Sequence, residues 1–140
     1  MTTLDRDGVP IVYDVIGQGP TLVATHGFFH SAHVWTAVAQ RLAGDFRVVT
    51  WDMRGHGRSG DPDDPARYSH DLAVGDLPAV LAAVGAERAV LMGHSLGGFL
   101  SMEFQRRFPQ HVRGLVLVDT GPGYRDDRAR TQWNTVVDQI

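Results

Sequence analysis

The chain contains no cysteine, which removes disulfides, thiolate metal sites and a cysteine nucleophile together. Lysine is missing as well: all 13 basic residues are arginine, and 16 carboxylates outweigh them to leave a net charge of -3. No basic field is therefore present to draw in nucleic acid or an anionic membrane surface. No segment approaches the apolar length that spans a bilayer, and Met1 to Asp7 is charged where a secretion signal has an apolar core. The seven histidines show no regular ligand spacing, so neither a metal nor a cofactor is expected. These absences leave a small-molecule partner and a cytoplasmic location as the expectation.

What is present is enough apolar material for a core. Hydrophobic residues make up 43% of 140 positions, which suits one domain or part of one. The chain is organised around the stretch from Arg88 to Gly98. Ala89 to Met92 is a short apolar run fit for a buried strand, while Phe99, Leu100, Met102, Phe104 and Phe108 follow at helical spacing. Between them, Gly93-His94-Ser95-Leu96-Gly97 has the pattern G-x-S-x-G, extended by Gly98. A serine at so sharp a strand-to-helix corner needs small neighbours, because side chains two residues away on either side would collide. Ser95 is the candidate nucleophile. A competing reading is a glycine-rich turn that only lets two backbones pack closely, as in a dinucleotide-binding fingerprint. At this turn the spacing G-x-G-x-x-G is absent, and His94-Ser95 stands where a phosphate would approach.

Read in order, the chain alternates strands with helices. Thr2 to Arg6 and Val9 to Ile16 flank Asp7-Gly8, a dipeptide suited to a tight hairpin. Thr21 to Thr25 reads as a buried strand leading into His26-Gly27-Phe28, with Val34, Trp35, Val38 and Leu42 giving helical spacing up to Gly44. Phe46 to Trp51 is the next strand, and Asp52 to Gly60 is too rich in glycine to be other than a shaped loop. A helix from about Ser69 to Val84 follows, with Gly85 at its C-terminal cap. Pro78 lies inside that stretch and predicts a kink or a late helix start. After the elbow, Gly114 to Asp119 reads as a central strand, and Trp133, Val136, Val137 and Ile140 return to helical spacing. The fold class is thus α/β, a mostly parallel sheet flanked by helices and begun by a β-hairpin. In such a sheet the ligand edge lies past the strand C-termini, where Ser95, Phe28, Asp52 and Asp119 converge.

Three stretches, His26-Gly27-Phe28, Asp52-Met53-Arg54-Gly55-His56-Gly57-Arg58-Ser59 and Gly93 to Gly98, resemble the N-terminal portion of an α/β-hydrolase of the lid-bearing, esterase and epoxide-hydrolase-like kind. The resemblance implies an incomplete α/β-hydrolase fold, with residues 1–120 as core and 121–140 as the start of a lid after the Gly121-Pro122-Gly123 break. It implies that Ser95 attacks a carbonyl and that the backbone N–H groups of Phe28 and Leu96 form an oxyanion hole. Relatives that open epoxides or displace halide carry aspartate at the nucleophile position, so Ser95 points to acyl chemistry on a small ester, lactone or related carbonyl. The family's base is a histidine far beyond the elbow, whereas the only histidine after Ser95 here is His111, placed at the opposite edge of the sheet. Asp119 stands where some relatives keep their triad acid and others have an aspartate without that role. His26 is expected to brace its own loop, Asp52 to bond its glycine loop, and His94 to face away from the pocket. His30, His33 and His56 fall on the ligand side, and His70 at an exposed helix start.

Two functions from different classes follow. One is a serine hydrolase present as a truncated chain without its catalytic histidine. The other is a non-catalytic binding or interaction module built on the same half-sheet. In either case the strand ending at Asp119 leaves an open edge through which the chain is expected to self-associate.

Overall fold

The computed structural model describes residues 1–137. Six strands form one sheet: β1 (Thr2–Arg6), β2 (Val9–Ile16), β3 (Thr21–Thr25), β4 (Arg47–Trp51), β5 (Ala89–His94) and β6 (Val112–Val118), in the order β1-β2-β4-β3-β5-β6. The hairpin between β1 and β2 closes through Asp7 at φ 56° and Gly8 at φ 82°. Two successive positive angles match the twist of the flanking strands. β2 pairs antiparallel with β4, and the pairs β4-β3, β3-β5 and β5-β6 are all parallel. This is the mixed, mostly parallel sheet of a partial α/β-hydrolase fold.

Among the described residues there are four α-helices: α1 (Thr36–Leu42), α2 (His70–Ala83) and α3 (Leu96–Arg107) join strands, and α4 (Asp127–Val137) follows β6. Strand alternation divides the core between the two sheet faces. Leu22, Ala24, Val48 and Met92 pack with Trp35 and Ala39 on the α1 face. Val23, Val49, Trp51 and Leu91 pack with Val74, Leu77 and Val80 of α2 and Leu100 and Phe104 of α3 on the other. Because both faces are covered, β3 is buried along its whole length, with Leu22, Val23 and Ala24 apolar between Thr21 and Thr25.

Three expectations are corrected. Residues 32–35 form a 3-10 turn before α1 rather than a continuous α-helix to Gly44. The helix holding Pro78 starts at His70 and runs without a break to Ala83, so the late start fails. Its beginning is fixed upstream by Ser69, whose side chain accepts the Leu72 N–H at 3.1 Å. Pro78 removes one intrahelical bond, and the burial of Val74, Leu77, Val80 and Leu81 on one face offsets that loss. Gly85, at φ 64°, ends the helix as expected. β6 begins at Val112, ahead of the expected Gly114. Ile140, part of the last helical pattern, lies outside the described residues.

Candidate active site

β5 ends at His94 and α3 begins at Leu96, so Ser95 alone turns the chain. Its backbone sits at φ 50°, ψ -118°, a region that costs an L-residue on the order of 1–3 kcal/mol. Bonds from both sides hold it there. The Ser95 N–H donates to the Val118 carbonyl at 3.1 Å, while the Ser95 carbonyl accepts the N–H groups of Gly98 and Phe99 and the Thr120 hydroxyl at 2.6 Å. A Cβ on Gly93 would collide with the Gly97 carbonyl, and one on Gly97 with the Thr25 carbonyl. The corner is therefore closed to larger side chains on both limbs, as the motif suggests.

Ser95 is exposed on a cavity of about 630 Å³ that Phe28, Leu96, Phe99, Asp119 and Trp133 also line. The structure thus brings Ser95, Phe28, Leu96 and Asp119 to one place. Leu96 is the first residue of α3, where an N–H has no intrahelical partner and the helix dipole is positive. Among the described residues, neither the Phe28 N–H nor the Leu96 N–H meets a carbonyl acceptor. Two free donors at the rim of a cavity holding a hydroxyl are suited to an anionic oxygen.

The Phe28 side of the cavity rests on a fully buried histidine. His26 accepts the Met53 N–H on Nε2 at 3.1 Å, so its proton lies on Nδ1, which donates to the Gly27 carbonyl at 2.7 Å. Burial is the main cause that lowers its pKa to about 4, and the ring is neutral near pH 7. His26 braces its own loop, as expected, and also fastens it to the loop after β4. Asp52, at the start of that second loop, ties it to the turn before α1 as well as to itself. Its buried carboxylate accepts the Ala32 N–H at 2.6 Å and Nε of Arg58 at 2.8 Å.

One buried network escaped the sequence reading. Arg54 donates from Nε and Nη2 to the two oxygens of Asp76, each at 2.8 Å, and from Nη1 to the Arg67 carbonyl. Arg6 adds a bond to the same carboxylate at 3.1 Å. Asp76 is fully buried and Arg54 nearly so. The signal was there to find, since Asp76 falls beside Val74, Leu77 and Val80 on the apolar face of α2, and a carboxylate in that position needs a cation.

The remaining histidines are spread around the site. His94 lies edge-on to His30 with ring centroids 5.4 Å apart, and His33 lines a separate cavity of about 250 Å³ with Asp14, Asp52 and Arg58. His70 packs on Phe99, and His111 bonds the Glu87 carbonyl just before the N-terminus of β6, at the sheet edge away from Ser95. Among the described residues, no side chain hydrogen-bonds the Ser95 hydroxyl, and no cluster of three His, Asp or Glu is placed to hold a metal ion.

A family profile for the alpha/beta hydrolase fold matches residues 20–139. This chain belongs to the alpha/beta hydrolase fold family. Among curated relatives of this hydrolase-fold chain, a fluoroacetate dehalogenase from Burkholderia sp is 36% identical over 124 residues, covering 86% of this chain and 41% of the relative. A pimeloyl-[acyl-carrier protein] methyl ester esterase from Aeromonas salmonicida is 31% identical, covering 89% and 46%. The chain therefore spans less than half the length of these hydrolases. Among solved structures, Est816, described as an N-acyl homoserine lactone degrading enzyme, aligns with a TM-score of 0.81 at 32% identity, covering 94% of this chain and 52% of that one. Among the described residues of the hydrolase fold, no helix is long and apolar enough to cross a membrane.

Proposed function

We propose that this hydrolase-fold chain carries the nucleophilic half of a serine hydrolase acting on a small neutral ester, lactone or related carbonyl. The observation that carries the reading is the corner itself: an exposed serine at φ 50° capping the N-terminus of α3, facing a cavity beside two N–H groups without acceptors among the described residues. In the reaction, Ser95 Oγ attacks the carbonyl carbon and loses its proton to a general base. Charge collects on the carbonyl oxygen opposite the N–H groups of Phe28 and Leu96, and collapse expels the alcohol to leave an acyl-serine. Serine in place of aspartate supports acyl transfer over dehalogenation or epoxide opening, and the methyl ester esterase and lactone-degrading relatives fit the same choice.

The base lies outside the described residues in this reading, since no histidine among them bonds Ser95. Asp119, exposed at φ 44° on the same cavity, is open to the role of orienting it. Residues 121–140 begin a cap, with Tyr124 and Trp133 already reaching the cavity. Without a base, catalysis is limited to what oxyanion stabilisation and binding supply, roughly 10³- to 10⁴-fold over water. The test is p-nitrophenyl acetate hydrolysis by residues 1–140 beside Ser95→Ala. Slow hydrolysis that the substitution reduces further supports the reading. Equal rates in both chains favour the non-catalytic binding module, and fast turnover lost on substitution would mean that a described histidine reaches Ser95.

A further inference from the structure

The residue that carries one of the two free N–H groups is gripped at both of its peptide units. Upstream, the Gly27 carbonyl accepts His26 Nδ1–H at 2.7 Å and the His30 N–H at 3.1 Å. A planar trans peptide points its N–H opposite its carbonyl, so these bonds turn the Phe28 N–H away from His26. Downstream, Nε2 of His56 lies against the Phe28 carbonyl, while Nδ1 of the same ring is 3.0 Å from the Arg54 carbonyl. Arg54 is in turn tied to the buried Asp76 of α2. The His56 ring also packs on Phe28, with centroids 5.6 Å apart, and on His26 at 5.1 Å. His56 is thus a strut from the anchored Arg54 backbone to Phe28, in a loop that contributes no group to the cavity around Ser95.

We propose that His56 is a positioning residue for this site: by holding the Phe28 carbonyl against the Arg54 backbone, it keeps the Phe28 N–H aimed at the oxygen of an ester attacked by Ser95. The inference rests on the oxyanion-hole reading above. With only the upstream peptide pinned, by His26 and the His30 N–H, Phe28 keeps freedom about its own backbone angles, and the second grip removes it. Deleting an oxyanion-hole donor outright costs on the order of 10²- to 10³-fold in rate. A donor that is present but misaimed forfeits part of that.

The experiment compares residues 1–140 with His56→Leu, which removes the ring's contacts to both carbonyls, and His56→Gln, whose side-chain amide restores a donor. Two readouts are taken. The first is the rate of stoichiometric acetylation by p-nitrophenyl acetate across a concentration series. The lysine- and cysteine-free composition keeps competing nucleophiles few. The second is the ¹H–¹⁵N signal and exchange rate of the Phe28 amide. The expected result is a limiting acetylation rate about 10- to 100-fold lower in His56→Leu, with the half-saturating concentration unchanged within about 2-fold, substantial recovery in His56→Gln, and a displaced, faster-exchanging Phe28 amide only in the leucine variant. An unchanged Phe28 amide in folded His56→Leu overturns the proposal, as does a rate loss that glutamine fails to recover. Should Ser95→Ala acetylate as fast as the parent, the nucleophile reading falls, and the Phe28 amide alone then decides the role of His56. If His56→Leu fails to fold, the glutamine variant carries the test: it must keep the parent Phe28 amide signal.

Discussion

The two banks of the cavity are built differently. On the β3 and β4 side, His26, Asp52, Arg54 and Ser59 are all buried and each is bonded within the chain. On the β6 side, Val116, Leu117 and Val118 are about two-fifths exposed, at 43%, 44% and 39%, and Asp119 is exposed too. The difference teaches that one bank is preorganised by its own polar network, whereas the other is a strand with a neighbour on one side only among the described residues. Ser95 sits on the seam. Its carbonyl and N–H are held by Thr120 and Val118 from the open bank, while the N–H of Phe28 comes from the closed one.

The comparison breaks most severely at Asp76. Its removal in Asp76→Ala leaves Arg54 buried without its partner, a change that typically costs about 3–5 kcal/mol. Urea unfolding should report that loss, together with loosened exchange protection in residues 52–60 and much less change along β6. A loss below about 1 kcal/mol would show that the closed bank does not depend on this ion pair.

Acid should act on the same bank. The His26 pKa is lowered from 6.5 to about 4 in the fold, so between those values the unfolded chain binds a proton that the folded chain refuses. Stability contributed by the neutral ring is therefore full above about pH 6.5 and falls as pH drops toward 4, by on the order of 3 kcal/mol. Melting temperature across pH 7 to 4 should show the fall, and His26→Gln should flatten that part of the curve. A parallel slope in the variant would assign the acid sensitivity to other groups.

The smallest effect on stability is expected at the open bank. Leu117→Lys places a charge on an exposed strand edge, where the folding cost stays within about 1 kcal/mol while edge pairing is opposed. Sedimentation should find the parent chain self-associating and the variant shifted toward monomer. A parent that stays monomeric at high concentration would remove self-association from the account.

Much of this arrangement was legible beforehand. The hairpin at Asp7-Gly8, the elbow at Ser95 and the ends of β3 and β4 followed from glycine positions and apolar runs, because those features are local, whereas β5 runs to His94, two residues past its apolar stretch. The Arg54-Asp76 pair was not, since residues 22 apart meet only after α2 docks on the sheet, although an aspartate on an apolar helix face announced that some cation was needed. Pro78 differs: a local rule allowed a late helix start there, and the Ser69 cap together with burial of the surrounding face set the start at His70 instead. His56 lay in a motif whose glycines drew the attention, and its grip on Phe28 spans two loops that no spacing in the sequence connects.

The central claim is that Ser95 is the nucleophile of this fold, and the most direct test locates the acyl group. Residues 1–140 are treated with p-nitrophenyl acetate, digested, and the acetylated residue identified by mass spectrometry, with Ser95→Ala alongside. The acetyl group is expected on Ser95 ahead of the Met1 amine and the exposed hydroxyls, with the fast-labelled site lost in the variant. Acetyl spread over surface residues to the same extent in both chains, with Ser95 unmodified, would contradict it.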